Sequence, residues 1–331
     1  MLVDTTLGAA ETAAADARAA EDAGYDGVFT GEVRNDPFLP LALAAPVTER
    51  LALGTSVAVA FARSPMALAY TAHDLQRLSG GRFVLGLGTQ VRAHVERRFS
   101  MPWGRPAPQL REFVLALRAA WRSWSEGEPL AFEGEYYRHT LMPPAFVPEP
   151  HGFGPPAVLL AGVGEATTLV AGEVADGFLC HAFTTERWLR ERTLPALRKG
   201  RARGGKTLEG FTVKAAVFVA TGTDAEIEAG TAALRAQLAF YASTPAYRPV
   251  LDLHGWGDLG TELTVLSRAG RWDEMPGLVD DEVLGAFAVV APPAEVPALV
   301  VRRCAGVVDR VSLLGPGDDG GLAAALRAAA C

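Results

Sequence analysis

Short apolar runs alternate along the chain with longer amphipathic stretches, and this pattern predicts strands that alternate with helices. Eight runs have the length and apolar content of strands: Leu2–Leu7, Gly27–Thr30, Leu51–Val57, Phe83–Gly88, Val158–Ala161, Gly177–Cys180, Thr212–Ala220 and Arg310–Leu314. Short strands that are apolar on both faces are typical of a parallel sheet covered by helices. Eight such units either close into an α/β fold of the (β/α)8 TIM barrel type or leave an open, doubly wound sheet. The periodicity alone does not distinguish the two.

The stretches between these runs carry the spacing and end signals of helices. They are Ala10–Ala23, Phe38–Thr48, Pro65–Leu78, Pro108–Ser125, Glu165–Ala175, Thr185–Arg203 and Asp224–Ala242, with a last helix expected after Leu314. The periodicity is strongest in the fourth, where Leu110, Phe113, Val114 and Leu117 recur at i, i+3, i+4 and i+7. We expect that face to pack on the core.

Two segments interrupt the alternation. Leu130–Arg138 is typical of a small hairpin, and Ser243–Val283 contains several prolines and a Gly-Trp-Gly. The chain shows no internal repeat and no low-complexity linker. We therefore expect a single domain over residues 1–331, a barrel with insertions near 126–156 and 243–283.

Length and composition agree with this prediction. A chain of 331 residues suits one such barrel. Hydrophobic residues make up 49% of the chain and charged residues 21%, which predicts a folded protein with a large core. No apolar run reaches the roughly 18 residues of a membrane span, and the acidic N-terminal segment lacks the basic start of a signal peptide. We expect a cytoplasmic protein with no membrane partner.

Charge and motif content narrow the function classes. The formal net charge of −7 argues against a nucleic-acid partner, although a local basic patch could still hold a small anion. Cys180, Cys304 and Cys331 form no CxxC string, so no disulfide framework is expected. The six histidines show no metal-ligand spacing, and we expect no metal site. The absence of GxSxG, SxxK and P-loop strings excludes the main hydrolase and kinase classes.

Titratable residues follow two of the predicted strands, and in a (β/α)8 barrel the functional groups follow the carboxyl ends of strands. Glu32 and Asp36 come after the second strand. They are either proton donors or acceptors, or loop acids that complement a helix dipole. His181 comes directly after the sixth strand and could face the pocket.

Small residues follow the third, fourth and fifth strands. Gly54–Ser56 would leave room for a flat ring, or would form an ordinary loop. Gly86 and Gly88 let a ligand approach the backbone closely. The turn Gly162–Glu165 lies between a strand and a helix, where free N–H groups and the positive helix end favour phosphate. Three arginines beyond the fourth strand could form a basic patch, or lie free on the surface: Arg92, Arg97 and Arg98.

Several segments carry a resemblance to a known family. They are Gly24–Glu32, Asp36–Ala45, Leu51–Tyr70, Gly80–Trp103, Leu159–Glu165 and Val170–Phe183. In this order and spacing they resemble the luciferase-like monooxygenase superfamily, and in particular its coenzyme F420-dependent oxidoreductases. The resemblance covers essentially the whole chain and implies a (β/α)8 barrel.

The resemblance also implies how a cofactor would bind at the barrel mouth. It assigns nine residues to the cofactor: Ser56, Val57, Thr89, Gln90, His94, Gly162, Val163, Gly164 and Glu165. The peptide bond between the first two would be cis and would lie behind the deazaflavin ring. The next three would lie beside the ring and its side chain, with His94 where relatives often have Asn. The last four would hold the coenzyme phosphate.

One departure from the family pattern concerns the proton relay. Several relatives place an acidic residue followed by histidine after the second strand, where this chain has Gly31 and Glu32. Glu32 could replace the missing imidazole only if burial favoured its protonated form. His181 or a water molecule is the alternative. Glu32 and His181 are therefore the candidate catalytic residues.

The resemblance implies an enzyme that moves hydride between C5 of the deazaflavin and a small organic substrate, while the protein positions both. One alternative is an FMN-dependent monooxygenase on the same barrel that uses reduced flavin and oxygen. Another is a non-catalytic protein that only binds a flavin or deazaflavin. The resemblance also favours a homodimer.

Overall fold

The structure is a computed structural model and describes residues 1–315 and 321–330. Its strands are β1 (Leu2–Thr6), β2 (Gly27–Thr30), β3 (Ala52–Thr55), β4 (Ala58–Val59), β5 (Phe83–Gly88), β6 (Phe132–Glu133), β7 (Arg138–His139), β8 (Ala157–Gly162), β9 (Gly177–Cys180), β10 (Thr212–Ala220), β11 (Ala288–Val290) and β12 (Arg310–Leu314). All eight predicted strands are present, as β1, β2, β3, β5, β8, β9, β10 and β12. Cys331 lies outside the described residues, and Cys180 and Cys304 are free thiols.

Helices separate most of these strands. They are α1 (Ala13–Asp22), α2 (Leu39–Ala44), α3 (Pro65–Leu78), α4 (Arg92–Arg97), α5 (Pro106–Glu126), α6 (Glu165–Val174), α7 (Glu186–Trp188), α8 (Leu194–Arg203), α9 (Asp224–Ala242), α10 (Arg248–His254), α11 (Gly257–Arg268), α12 (Asp281–Phe287), α13 (Val296–Cys304) and α14 (Gly321–Ala330). A π-helical turn, Leu189–Thr193, joins α7 to α8.

The strand order defines the fold class. The sheet runs β11-β10-β12-β1-β2-β3-β5-β8-β9, with β4 beside β5 and a further pairing between β9 and β10. The neighbours run parallel wherever their register is defined, as between β1 and β12 or β5 and β8. The pairing between β9 and β10 closes the sheet into a (β/α)8 barrel. The predicted fold class is confirmed.

Helix ends follow from local sequence. α3 begins after Ser64, whose Oγ accepts a hydrogen bond from the N–H of Ala67. Gly80 and Gly81 follow α3 with φ of 62° and 90°, a backbone region that favours glycine. The predicted helix Phe38–Thr48 is shorter, because α2 gives way to a 3₁₀ turn, Ala45–Val47, that contains a proline.

The two segments outside the alternation differ in structure. β6 and β7 form the predicted antiparallel hairpin. Residues 243–283 are largely helical and include α10, α11 and the start of α12. These helices contribute Val250, Leu251 and Leu263 to a buried hydrophobic cluster. This segment is therefore part of the core and is not a surface loop.

The chain divides into two compact units. The larger unit contains Thr5–Leu179 and Ala196–Thr212, and the smaller unit contains Met1–Asp4, Cys180–Pro195 and the chain from Val213 onward. The single-domain prediction is not tested by this division and stays a prediction. Among residues 1–315 and 321–330, no helix is both long and apolar enough to cross a membrane.

A buried ionic cluster connects three strands of the smaller unit. Lys214 Nζ on β10 lies 2.7 Å from Asp4 Oδ2 on β1 and 2.6 Å from Ser312 Oγ on β12. Arg310 also binds the Asp4 carboxylate through Nε and Nη2. The Lys214 side chain is 5% exposed and that of Asp4 is 0% exposed. These hydrogen bonds and ion pairs offset part of the desolvation cost of the buried charges.

Candidate functional site

The first candidate feature is the segment after β3 in the larger unit. The peptide bond between Ser56 and Val57 is cis, as the resemblance implies. The Ser56 N–H donates to Thr30 O at 2.6 Å, and the Glu32 N–H donates to Val57 O at 3.0 Å. Both ends of this peptide are therefore hydrogen-bonded to the carboxyl end of β2, one to its last residue and one to the loop that follows.

Glycines on β5 make room for this segment. A Cβ added to Gly86 would lie 1.8 Å from Thr55 O. A Cβ added to Gly88 would lie 2.8 Å from Val57 Cγ2. The sequence predicted that these two glycines let a ligand approach the backbone. In the structure, the end of β3 and the second residue of the cis peptide already occupy the space beside them.

The Glu32 carboxylate accepts hydrogen bonds from two residues of the larger unit. Its Oε2 accepts a hydrogen bond from the Val59 N–H at 2.7 Å and from Arg63 Nη1 at 2.6 Å. Arg63 also reaches Asp36 Oδ2 at 3.3 Å and lies over the Phe38 ring. Two donors on one oxygen suit an acceptor-only carboxylate, and they fix Glu32 against the turn after β4.

Thr89 and Gln90 follow β5 directly. Gln90 has φ of 60°, which is uncommon for a residue with a side chain. Its Oε1 accepts from the Val91 N–H at 3.0 Å, and the Thr89 hydroxyl donates to Gln90 O at 3.0 Å. His94 lies exposed on α4.

The predicted basic patch is only partly available. Arg92 forms an ion pair with Glu96 through Nε and Oε1 at 2.9 Å. Arg98 Nη2 donates to Val33 O at 2.8 Å, and its guanidinium lies over the Phe99 ring. The bond from Arg98 to Val33 connects the end of α4 to the loop after β2. The exposed Arg97 extends from the end of α4.

The turn Gly162–Glu165 has the geometry of an anion site. Gly164 is the N-cap of α6, with φ of −88° and ψ of 156°, and is exposed. A Cβ added there would meet no atom within 4 Å, whereas one on Gly162 would lie 2.7 Å from Thr167 Cγ2. The first backbone N–H groups of α6 lack partners within the helix, so they are available to an anion in this open space. Glu165 is the one acid in that first turn.

His181 lies in the smaller unit, directly after β9. Its Nδ1 accepts a hydrogen bond from the Phe183 N–H at 3.0 Å, and its Nε2 lies 3.0 Å from Tyr247 Oη. Burial lowers the pKa of His181 from 6.5 to about 4. The ring is therefore neutral at neutral pH and carries no imidazolium proton to donate as an acid under those conditions.

Two tyrosines contact His181, and the sequence analysis pointed to neither of them. The His181 ring stacks on Tyr247, with centroids 4.6 Å apart, and meets the edge of Tyr241 at 5.1 Å. Burial raises the pKa of Tyr247 to about 12, with a further contribution from Tyr241. The only sequence signal was the unusual segment that begins at Ser243.

Two aromatic residues of the same segment have structural partners. His254 Nε2 lies 2.8 Å from Thr185 Oγ1, and its ring stacks on Trp256 with centroids 4.3 Å apart. Trp256 packs against the buried cluster of the smaller unit. The observed contacts of both residues are therefore those of packing within the smaller unit. Within the described residues, no group of histidine, cysteine and carboxylate side chains could hold a metal ion.

Comparisons with known proteins identify the family. The sequence model described as Luciferase-like monooxygenase matches residues 3–310. The chain is 56% identical over 300 residues to the uncharacterized protein Rv1360 of Mycobacterium tuberculosis (strain ATCC 25618 / H37Rv), covering 90% of this chain and 88% of that protein. It is 31% identical over 323 residues to Rv3520c of the same strain, covering 91% and 90%. Rv3520c carries the provisional name coenzyme F420-dependent oxidoreductase.

A solved structure supports the same fold. The coenzyme F420-dependent tetrahydromethanopterin reductase from Methanopyrus kandleri matches with a TM-score of 0.77 at 19% identity, covering 98% of this chain and 96% of that one. Because the family model matches residues 3–310, the chain belongs to the luciferase-like monooxygenase family, a family of enzymes. The predicted family is confirmed.

Proposed function

We propose that the protein is a coenzyme F420-dependent oxidoreductase that moves hydride between the deazaflavin and a small organic molecule. The coenzyme, when bound, supplies the hydride chemistry at C5. Support at the family level comes from the family match and from the name of the relative Rv3520c. The observation in this chain that carries the proposal is the open space at Gly164 on the N-terminus of α6.

The turn Gly162–Glu165 fits the phosphate of such a coenzyme. A glycine N-cap with free space beside it lets an oxygen anion approach the first N–H groups of α6. The positive end of the helix dipole adds to this attraction. Val163 and Gly164 would hold the phosphate through their backbone, and Glu165 would lie at the edge of this site.

The segments after β3 and β5 would shape the ring site. Ser56 and Val57 present backbone that is hydrogen-bonded to the carboxyl end of β2, and two local hydrogen bonds hold the turn at Thr89 and Gln90. Such pre-set backbone binds a flat ring without a further ordering cost. His94, exposed on α4, would contact the coenzyme side chain. Glu32 and His181 as proton relays stay predictions.

A titration tests the proposal directly. Purified protein is titrated with coenzyme F420 and, in parallel, with FMN, and binding is followed by absorbance and fluorescence. We expect F420 to bind and to be reduced or oxidised with an organic substrate. Tight binding of FMN with no binding of F420 would replace the proposal with the flavin monooxygenase. F420 binding without turnover on a broad carbonyl, enone and alcohol panel would favour the non-catalytic binding protein.

Substitutions at Gly164 make the test specific to the phosphate turn. Aspartate and serine are both good N-cap residues, and neither would clash in the open space. Gly164→Asp places a negative charge at the anion site, so F420 affinity should fall by about tenfold or more while the melting temperature holds or rises. Gly164→Ser is the uncharged control and should weaken binding much less. Equal affinities for the two variants would place the phosphate elsewhere.

A further inference from the structure

The hydrogen bonds of His181 determine which of its nitrogens carries the proton. A backbone N–H can only donate, so the bond from Phe183 makes Nδ1 an acceptor without a proton. A neutral imidazole then carries its proton on Nε2, which faces Tyr247 Oη at 3.0 Å. His181 is therefore the donor in this pair, and Tyr247 accepts with an oxygen lone pair.

This assignment leaves the Tyr247 proton for another acceptor. The hydroxyl both donates and accepts, and its accepting side is used by His181. No other hydrogen bond to Tyr247 Oη is present among residues 1–315 and 321–330. The stacked His181 ring fixes the phenol ring, with an angle of 26° between the planes. Tyr247 is thus a hydrogen-bond donor whose hydroxyl and ring are both held in place by His181.

Among the described residues, the rings that contact this donor are uncharged. Tyr241 meets the Tyr247 ring edge-on at 5.8 Å, and Phe183 lies 5.5 Å away. Tyr241 and Tyr247 are the titratable groups in ring contact with His181, and all three rings are neutral at pH 7. These rings offer no opposite charge, so burying a charged substrate group against them would be costly.

We infer that Tyr247 donates a hydrogen bond to the oxygen of an uncharged, largely apolar substrate, a ketone, enone or secondary alcohol, and that His181 is the positioning residue for this hydroxyl. The inference rests on the proposed function and names the substrate class for it. The inferred role is binding and orientation of the oxygen, and no proton transfer is assigned to Tyr247. A phosphorylated or carboxylate substrate does not fit this group.

Carbonyl spectroscopy tests this without the coenzyme. The probe is 2-cyclohexenone labelled with ¹³C at the carbonyl carbon, and a hydrogen bond to its oxygen moves that resonance downfield. We expect a downfield shift with the native protein and its loss with Tyr247→Phe, together with an affinity about tenfold weaker. Tyr241→Phe is the matched control and should keep the shift. Pyruvate, a charged ketone, should bind more weakly than the enone.

His181 is tested by its own readouts. The ¹⁵N shifts of the ring should show a protonated Nε2 and an unprotonated Nδ1. His181→Phe keeps the stacking but removes the donor, so the carbonyl shift should shrink while the fold, followed by near-ultraviolet circular dichroism, is retained. His181→Gln restores polar groups and should recover part of the shift.

The outcomes separate this inference from the proposed function. F420 binding with the same carbonyl shift in Tyr247→Phe as in the native protein overturns the inference alone. No shift in the native protein, or preferred binding of pyruvate, overturns it as well. A shift that depends on Tyr247 in a protein that does not bind F420 overturns the proposed function and leaves the oxygen site in place.

Discussion

Nη1 of Arg63 lies 2.6 Å from Oε2 of Glu32, and the same oxygen accepts the N–H of Val59. The Glu32 side chain is 7% exposed and that of Arg63 is 21% exposed, so water screens this pair only in part. We expect Glu32→Gln to lower the free energy of unfolding by about 1–2 kcal/mol, because a charge-assisted bond becomes a neutral one. Chemical denaturation measures this change.

Asp36 supplies the control for this pair, because it binds the same guanidinium from a more exposed position at 3.3 Å. Asp36→Asn should change stability by less than about 0.5 kcal/mol through its ion pair. Equal effects of the two variants would contradict the burial argument. The Glu32 variant also tests the predicted relay, since unchanged turnover with F420 bound would remove Glu32 from the mechanism.

The ionic cluster of the smaller unit predicts an order of stabilities. Asp4→Asn leaves the Lys214 and Arg310 cations without their shared anion, so we expect a loss of about 3–5 kcal/mol. Lys214→Met keeps Asp4 paired with Arg310 and should lose less, about 1–3 kcal/mol. Thermal unfolding of both variants gives the order. A Lys214 variant that is less stable than the Asp4 variant would contradict the central role of Asp4.

Replacing either of two glycines with alanine should change the stability of the protein, in opposite directions for the two positions. The Cβ of Gly86→Ala would lie 1.8 Å from Thr55 O, which is backbone of the next strand and cannot move aside easily. We expect a loss of about 3 kcal/mol or more, or failure to fold. Gly285 lies inside α12 with open space around its Cβ. Gly285→Ala should raise stability by about 0.5–1 kcal/mol.

Local sequence determined much of the fold. The predicted bounds of β5, β9, β10 and β12, and of α3 and α9, agree with the structure. Each of these elements has a glycine, a proline or a capping residue at or within two residues of at least one of its ends. The predicted strand Leu51–Val57 extends too far, since β3 ends at Thr55, before the cis peptide. A pattern of apolar residues carries no signal for that backbone change.

The sequence predicted where the two candidate catalytic residues lie, but not which side chains bind them. The rule that functional groups follow barrel strands pointed to Glu32 and His181. Arg63 lies 31 residues from Glu32 and Tyr247 lies 66 residues from His181, so neither pair has a local sequence signature. Only the folded chain shows that both candidates are held by hydrogen bonds to such distant residues.

His181 predicts a pH dependence of stability. Its pKa is about 4 in the folded protein and 6.5 as the unperturbed value. Between these pH values the unfolded chain binds a proton that the native protein does not bind. Stability therefore falls as the pH drops from about 6.5 to 4, by up to about 3 kcal/mol for this group, and this loss is complete below pH 4.

A comparison of variants isolates this contribution from that of other histidines. His181→Gln can still accept the Phe183 N–H but has no imidazole to protonate, so its free energy of unfolding should fall less between pH 7 and pH 4.5 than that of the native protein. Urea denaturation at each pH gives both curves. His94→Gln, at an exposed position on α4, should follow the native curve. If the His181 variant also followed the native curve, the ring would not be held in its neutral form by burial.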